Sequence, residues 1–390
     1  MIAGRVRYNA MEEVVFGRPA AEAVASHAEE RGRDRVFIVA SDSLRRSTDV
    51  IARVEAALGP RHAGTWSGMP AHSPRDAVLA CTAAAREAGA DLLLTVGGGS
   101  VTDATKVVQI CLEHGLTEMA QLDDFANRTS ADGVTVTPQY RAPTVRQVSV
   151  PTTLSGGEFN PLAGVTDPVR RVKQAYRHPM CIPQAVILDP EPTLHTPMWL
   201  WLSTGVRAVD HCVEGLCSPA ANAYADAALT HALKLLTTGL TRVAADPDDM
   251  AARLDCQMGA WLSMTGNIAG VAMGASHAIG HILGGSCGVS HGHTSCVMLP
   301  YVLAWNAPVD NAGRQKMVAA ALGRPNDPAA EVVGDFIKGL GMPRTLSEVG
   351  VGPDQFDRIA KLTMHDRWIH TNPRRIEGPA DVRAILETAA

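Results

Sequence analysis

Aromatic residues are scarce in this 390-residue chain, with six Phe, six Trp and five Tyr making up 4% of it. That scarcity, beside abundant Ala and Gly, excludes an aromatic-rich β sandwich and favours helices packed closely on a sheet. No charge of either sign dominates: 35 Lys and Arg face 40 Asp and Glu, for a net charge of −5. Such a balance builds no field for nucleic acid or an anionic membrane surface. The short basic clusters Arg141 to Arg146 and Arg170-Arg171 read as solvated loops. None of the eight cysteines (Cys81, Cys111, Cys181, Cys212, Cys217, Cys256, Cys287, Cys296) has CxxC spacing. They read as buried, reduced thiols. No apolar run approaches the ~18 residues of a membrane span. The opening MIAGRVRYNAMEEVVFG lacks the apolar core of a signal peptide, so the expected location is cytoplasmic.

What is present is a two-part pattern. The length predicts two domains, and a hydrophobic content of 46% allows a sizeable core. In the first half, strand and helix signals alternate. A helix from about Ala20 to Arg31 precedes the apolar run Arg35 to Ala40. Ser41-Asp42-Ser43 then caps a helix running through Ile51 to Leu58, closed by Gly59-Pro60. A helix from Arg75 to Ala88 leads to a strand at Asp91 to Val96, and Arg146 to Val150 reads as another. This rhythm predicts a parallel, doubly wound sheet. Leu116 to Tyr140 reads as an irregular surface excursion. Past the prolines at 190, 192 and 197, helices dominate: about Ser203 to Cys217, Tyr224 to Ala244 and Met250 to Leu283. The expected domains are an α/β unit over 1–195 and an all-helical unit over 196–390, with a ligand cleft between them.

The strongest local signal is Gly97-Gly98-Gly99-Ser100, placed between a strand and a helix. Consecutive glycines let the backbone approach a ligand, and a helix N-terminus offers N–H groups to a phosphate. The run fits neither GxGxxG nor the P-loop pattern. A second loop, Pro151-Thr152-Thr153-Leu154-Ser155-Gly156-Gly157-Glu158, follows the next strand. Turns at the carboxyl ends of parallel strands share one crevice, so the two loops together suit a dinucleotide. Asp42, after the first strand, suits either a ribose hydroxyl or a helix cap.

Four of the fourteen histidines fall between His277 and His293. His277 and His281, four apart, share a helical face, and Gly284-Gly285 is expected to end that helix. His291 and His293 are then expected in a loop that folds back. His211 sits on an earlier helix, one turn after Arg207. Converging imidazoles suit a divalent metal or a general acid.

The run Gly97 to Lys106, the Pro151 loop and His277-Ala-Ile-Gly-His281-Ile-Leu-Gly-Gly…Ser290-His291-Gly292 resemble the iron-containing (group III) alcohol dehydrogenase superfamily. The resemblance extends to Thr371-Asn372-Pro373-Arg374. It implies a Rossmann-like N-terminal domain, a helical C-terminal domain, NAD or NADP, and a homodimer. The cofactor-binding residues it implies are Ser41, Asp42, Gly97, Gly98, Gly99, Ser100, Asp103, Thr152, Thr153, Ser155 and Lys173. His211, His277 and His291 match the family's metal-ligating histidines, for Fe2+ or Zn2+, and His281 matches the histidine near the nicotinamide. The family's fourth ligand, an aspartate, is replaced here by Arg207. Three readings follow. Arg207 swings aside while water or Asp210 completes the shell, or it replaces the metal's charge, or it binds a substrate carboxylate. The last two resemble the maleylacetate reductases, which also have a short Pro-Thr-Thr loop. Their pattern after the last histidine differs from Gly292-His293-Thr294-Ser295.

The implied reaction is hydride transfer between a nicotinamide and a small alcohol or carbonyl substrate. Arg207 or a metal stabilises the alkoxide, and His281 relays the proton. Metal-independent reduction of an unsaturated keto acid is the alternative. A dehydroquinate synthase-like lyase and a binding protein without catalysis are the rivals.

Overall fold

The structure, a computed structural model, describes residues 6–129, 135–310 and 312–390. The chain divides into two compact units. One spans Asn9–Thr196, and the other holds Pro197–Ala390 with the N-terminal piece ending at Tyr8.

The first unit is built on six parallel strands: β1 (Glu13–Phe16), β2 (Val36–Ala40), β3 (His62–Ser67), β4 (Leu92–Gly97), β5 (Arg146–Pro151) and, after a hairpin, β8 (Ala185–Leu188). Their order across the sheet is β1-β8-β5-β4-β2-β3. The chain moves from β2 outward to β3, then crosses back to β4 on the other side of β2. That reversal is the switch point at which open parallel sheets bind ligands, beyond the carboxyl ends of their strands.

Both faces of this sheet are covered. Val36, Ile38 and Ala40 of β2 join Leu92, Leu94 and Val96 of β4 in one core, with α1 (Ala20–Glu30) and α3 (Val50–Leu58). Phe37, Val39 and Leu93 point the other way, against α4 (Arg75–Glu87) and α5 (Gly99–His114). An alternating side-chain direction with apolar residues on both faces is why these strands read as continuous apolar runs.

The expected helix from Ser43 to Leu58 is two helices, α2 (Asp42–Ser47) and α3, parted at Thr48-Asp49. The Thr48 hydroxyl donates to Leu44 O at 2.6 Å and accepts from Val50 N at 3.3 Å, so it draws the backbone out of the helix. Leu116 to Tyr140 contains a 3₁₀ turn at Met119–Asp124 and a two-strand ribbon of Arg128–Thr129 with Thr135–Val136. Residues 130–134 of that stretch lie outside the described residues. The antiparallel hairpin β6 (Leu162–Asp167) and β7 (Val172–Arg177) is not legible in the sequence pattern.

The second unit is helical: α6 (Met198–Cys217), α7 (Ala223–Ala245), α8 (Met250–Ser263), α9 (Ala275–Cys287) and α10 (His291–Asn306) come first. The single helix expected over Met250 to Leu283 is broken. A one-turn helix, Thr265–Ile268, stands between the two pieces, and Gly270 after it takes the left-handed φ of +75° that ends helical geometry. Gly284-Gly285 do not end α9. Gly288, at φ +71°, does. His291 and His293 lie in the first turn of α10 rather than in a loop.

Arg75 braces the hairpin. It is 1% exposed, and it donates to Asp123 at 2.6 Å, Tyr176 at 2.8 Å, Met119 O at 3.0 Å and Asp167 at 3.3 Å. Arg75→Met leaves buried acceptors without a donor and is expected to cost roughly 3 kcal/mol or more. Urea unfolding followed by circular dichroism checks this, and a midpoint equal to the parent's would contradict it.

Candidate functional site

Three turns lie side by side at the carboxyl edge of the sheet. Ser41 N donates to Val96 O at 2.8 Å and Thr152 N to Gly97 O at 3.1 Å, so the ladder continues into the turns after β2, β4 and β5. The three glycines are needed for closeness and not for left-handed backbone. A Cβ on Gly97 would stand 3.2 Å from Ser41 Cβ, one on Gly98 3.1 Å from Thr153 Cγ2, and one on Gly99 3.1 Å from Ser155 Oγ. Each glycine thus faces a different residue of the expected cofactor set. Gly98 opens the sixteen-residue α5 with no side-chain cap. A pyrophosphate fits this cradle: side chains would fill it, and a helix N-terminus faces it.

The remaining cofactor candidates are placed as follows. Asp42 is the first residue of α2 and pairs with Arg46, while Ser41 holds the cap position without a side-chain cap bond. Ser100 O accepts from Ser73 Oγ at 2.8 Å. Both Asp103 oxygens are engaged within the chain, one by Lys106 Nζ at 3.1 Å and one by Gly164 N at 3.0 Å. Fully buried Lys106 also donates to Gly157 O at 2.6 Å and Leu162 O at 2.8 Å, which holds the second loop and the start of β6 against α5. Lys173 is exposed on β7, and its stem lies where a side chain at Gly164 would stand.

The histidine site belongs to the helical unit. Arg207, Asp210, His211 and Glu214 recur at helical spacing on α6, and all four are buried. Arg207 is 3% exposed. It donates to Ser295 Oγ at 3.0 Å, which donates to Asp210 Oδ2 at 2.6 Å. Asp210 also accepts from Ser276 Oγ at 2.8 Å. Glu214 accepts from Gly274 N at 2.9 Å, Ser276 N at 2.8 Å and His277 Nδ1 at 2.8 Å. Burial raises the pKa of both carboxyls, and Arg207 beside them pulls it back. Burial pushes His211 and His277 well below their ordinary value, and Arg207 adds to the effect. Both rings are therefore neutral at neutral pH.

The His211 and His277 rings lie 5.0 Å apart. His281 and His291 are stacked with centroids 6.1 Å apart. His293 stands elsewhere, against Trp199 at 5.7 Å, so it does not join the cluster. Sequence reading missed Glu214, Asp366 and Trp368. Glu214 was within reach, one turn beyond Asp210 and His211 on α6. Asp366 accepts from His281 Nδ1 at 2.7 Å, and the Trp368 ring lies 4.9 Å from His281 and 5.5 Å from His277.

A metal finds only a partial site in this arrangement. His277 suits one, since its Nδ1 is held by a carboxylate and its buried Nε2 has no hydrogen-bond partner. The expected set does not close. Among the described residues, the ligand atoms that gather within 4.8 Å are those of Asp210, Glu214 and His277, not His211, His277 and His291. Glu214 already accepts three donors, and Arg207 sits at the fourth ligand's position. A cation about 4 Å from a divalent ion costs roughly 8 kcal/mol at an effective dielectric of 20. These residues do not fit the family's four-ligand shell. Arg207 donates to Ser295 and lies 3.9 Å from Asp210, and its buried Nε has no hydrogen-bond partner among the described residues.

The cradle makes a direct prediction. Gly98→Val drives a side chain into Thr153 and is expected to weaken NADH and NADPH binding at least about tenfold while the fold persists. Fluorescence titration reads it, and an unchanged dissociation constant for both would refute the cradle.

Comparison with known proteins agrees with this geometry. Residues 12–190 match the iron-containing alcohol dehydrogenase family, and residues 201–390 match the C-terminal part of the Fe-containing alcohol dehydrogenase family. Dehydrogenase FUM7 of Gibberella moniliformis is 33% identical over 402 residues, covering 95% of this chain and 94% of its own. Maleylacetate reductase of Rhizobium sp. is 30% identical over 377 residues, covering 96% and 95%. The crystal structure of maleylacetate reductase from Rhizobium sp. strain MTP-10005 has the same fold, with a TM-score of 0.83 at 28% identity over 100% of this chain and 98% of that one. Both halves of the chain match one family and its relatives span its length: it belongs to the iron-containing alcohol dehydrogenases, near the maleylacetate reductases, and is an oxidoreductase of the alcohol dehydrogenase/reductase type.

Proposed function

We propose that the chain is an NAD(P)-dependent reductase of small carbonyl compounds, unsaturated keto acids included, with Arg207 as the fixed positive charge of its reaction site. The observation that carries this reading is the placement of Arg207. A buried guanidinium, held by Ser295 and Asp210, stands where the family's metal-binding aspartate belongs. The maleylacetate reductases among its relatives point to the same substrate class.

The nicotinamide cofactor supplies or accepts the hydride. Gly97 to Ser100, with Ser41, Thr153 and Ser155 around them, would hold its phosphates and ribose. Hydride arrival at a carbonyl carbon leaves negative charge on oxygen. Arg207 contributes a preorganised positive field that needs no reorganisation during the reaction. Neutral His211 and His277 add no further charge to that field. His281, with its side chain 36% exposed, exchanges the proton between solvent and the substrate oxygen. No helix among the described residues is long and apolar enough to cross a membrane.

A metal-dependent alcohol dehydrogenase is the second reading, favoured by the bare Nε2 of His277. Dialysis against a chelator separates the two. NADH or NADPH oxidation with an unsaturated keto acid is expected to continue at the parent rate. Loss of the rate, restored by Fe2+ or Zn2+, would select the metal reading. For the proton, His281→Ala is expected to lower kcat about a hundredfold or more, with NAD(P)H affinity within twofold of the parent. An unchanged kcat would remove His281 from the mechanism.

A further inference from the structure

His281 does not stand alone. Its Nδ1 is 2.7 Å from Asp366 Oδ2, across 85 residues of sequence. The Asp366 side chain is 16% exposed and that of His281 36%, so the bond is sheltered at one end and open at the other. The second Asp366 oxygen accepts from Trp368 N at 2.9 Å and caps the 3₁₀ turn Arg367–Thr371. One carboxylate therefore fixes both a ring nitrogen of His281 and the turn that carries Trp368. The Trp368 ring packs on His281 at 4.9 Å, and the His291 ring lies within 4° of parallel to it. Imidazole orientation is thus set by the hydrogen bond to Asp366 and by the Trp368 ring.

An ionised carboxylate only accepts hydrogen bonds, so it requires the proton of neutral His281 on Nδ1. Nε2 is then the one nitrogen that can take up and release a proton. We infer that Asp366 is a positioning residue for the hydride-transfer reaction: it accepts from His281 Nδ1, fixes the ring, and leaves Nε2 to exchange the substrate proton. The inference rests on the reading of His281 as the proton carrier. In the alcohol-forming direction, the Nε2–H bond breaks and an O–H bond forms on the substrate oxygen. The ring returns from imidazolium to the neutral Nδ1–H form, and solvent reloads it. In the reverse direction Nε2 takes the alcohol proton as the hydride leaves.

Asp366→Asn tests this with little change of shape. The amide oxygen can still cap Trp368 N, while the amide N–H₂ can donate to Nδ1 and so admit the other tautomer. The expected result is a kcat at least about tenfold lower, with the KM for NAD(P)H within twofold of the parent. Asp366→Glu, which keeps the carboxylate, is expected to recover most of the loss, and it stands in should the amide variant not fold. In a His281→Ala background, Asp366→Asn is expected to change kcat less than twofold, because the two residues act as one unit. A parent-like kcat for Asp366→Asn overturns the inference, as does an undiminished further loss in the His281→Ala background. A parent-like rate for His281→Ala itself overturns the proton-carrier reading, and the role of Asp366 with it. Loss with His281→Ala beside full activity in Asp366→Asn overturns the role of Asp366 alone.

Discussion

The histidine half of this protein depends on one buried guanidinium. Arg207 carries a positive charge where water cannot reach it, and such a charge is tolerated only when acceptors surround it. Ser295 of α10 accepts from it, Asp210 of α6 lies 3.9 Å away, and Ser295 and Ser276, the latter at the start of α9, both donate to Asp210 Oδ2. Glu214, one turn further along α6, then holds the backbone at Gly274 and Ser276 and the Nδ1 of His277. Three helices are registered against one another by this chain of polar contacts. It also fixes the state of the imidazoles, because a nearby cation adds to burial in disfavouring their protonation. An arginine in the aspartate's place therefore alters more than one ligand.

The nucleotide half solves a different problem, which is to bring backbone close to a polyanion. Its glycines do so by leaving space, with Ser41, Thr153 and Ser155 standing at the distance where side chains would otherwise be. The support is again a buried charge. Lys106 ties α5 to Gly157 of the loop after β5 and to Leu162 at the start of β6 through their carbonyls, and pairs with Asp103 on its own helix. The Gly-Gly-Gly turn and the Thr-Thr loop keep their spacing because a lysine, inaccessible to solvent, spans the gap between their supports.

Much of this was legible before any coordinates. Strands β2 and β4 announce themselves as apolar runs because both faces of the sheet are covered. The edge strand β3 does not, since His62 to Ser67 is only half-buried throughout and shows no apolar run. The break between α8 and α9 was hidden because isolated glycines look tolerable in a helical pattern until their φ is known. The four-residue spacing of Arg207 and His211 was visible, yet its continuation to Glu214 went unread. Asp366 left no local signal at all.

The sequence by itself determined the parallel sheet, the glycine turn between β4 and α5, and an arginine one helical turn before His211. Those features are local: strand burial patterns, glycine stereochemistry and residue identity act within a few residues along the chain. The tertiary structure decided what the polar groups do. It committed Arg207 to Ser295 and Asp210, gathered Asp210, Glu214 and His277 instead of three histidines, set His293 apart, and brought Asp366 to His281. The physical reason is that burial, charge balance and the choice of tautomer depend on partners tens of residues away, and only the folded chain selects them.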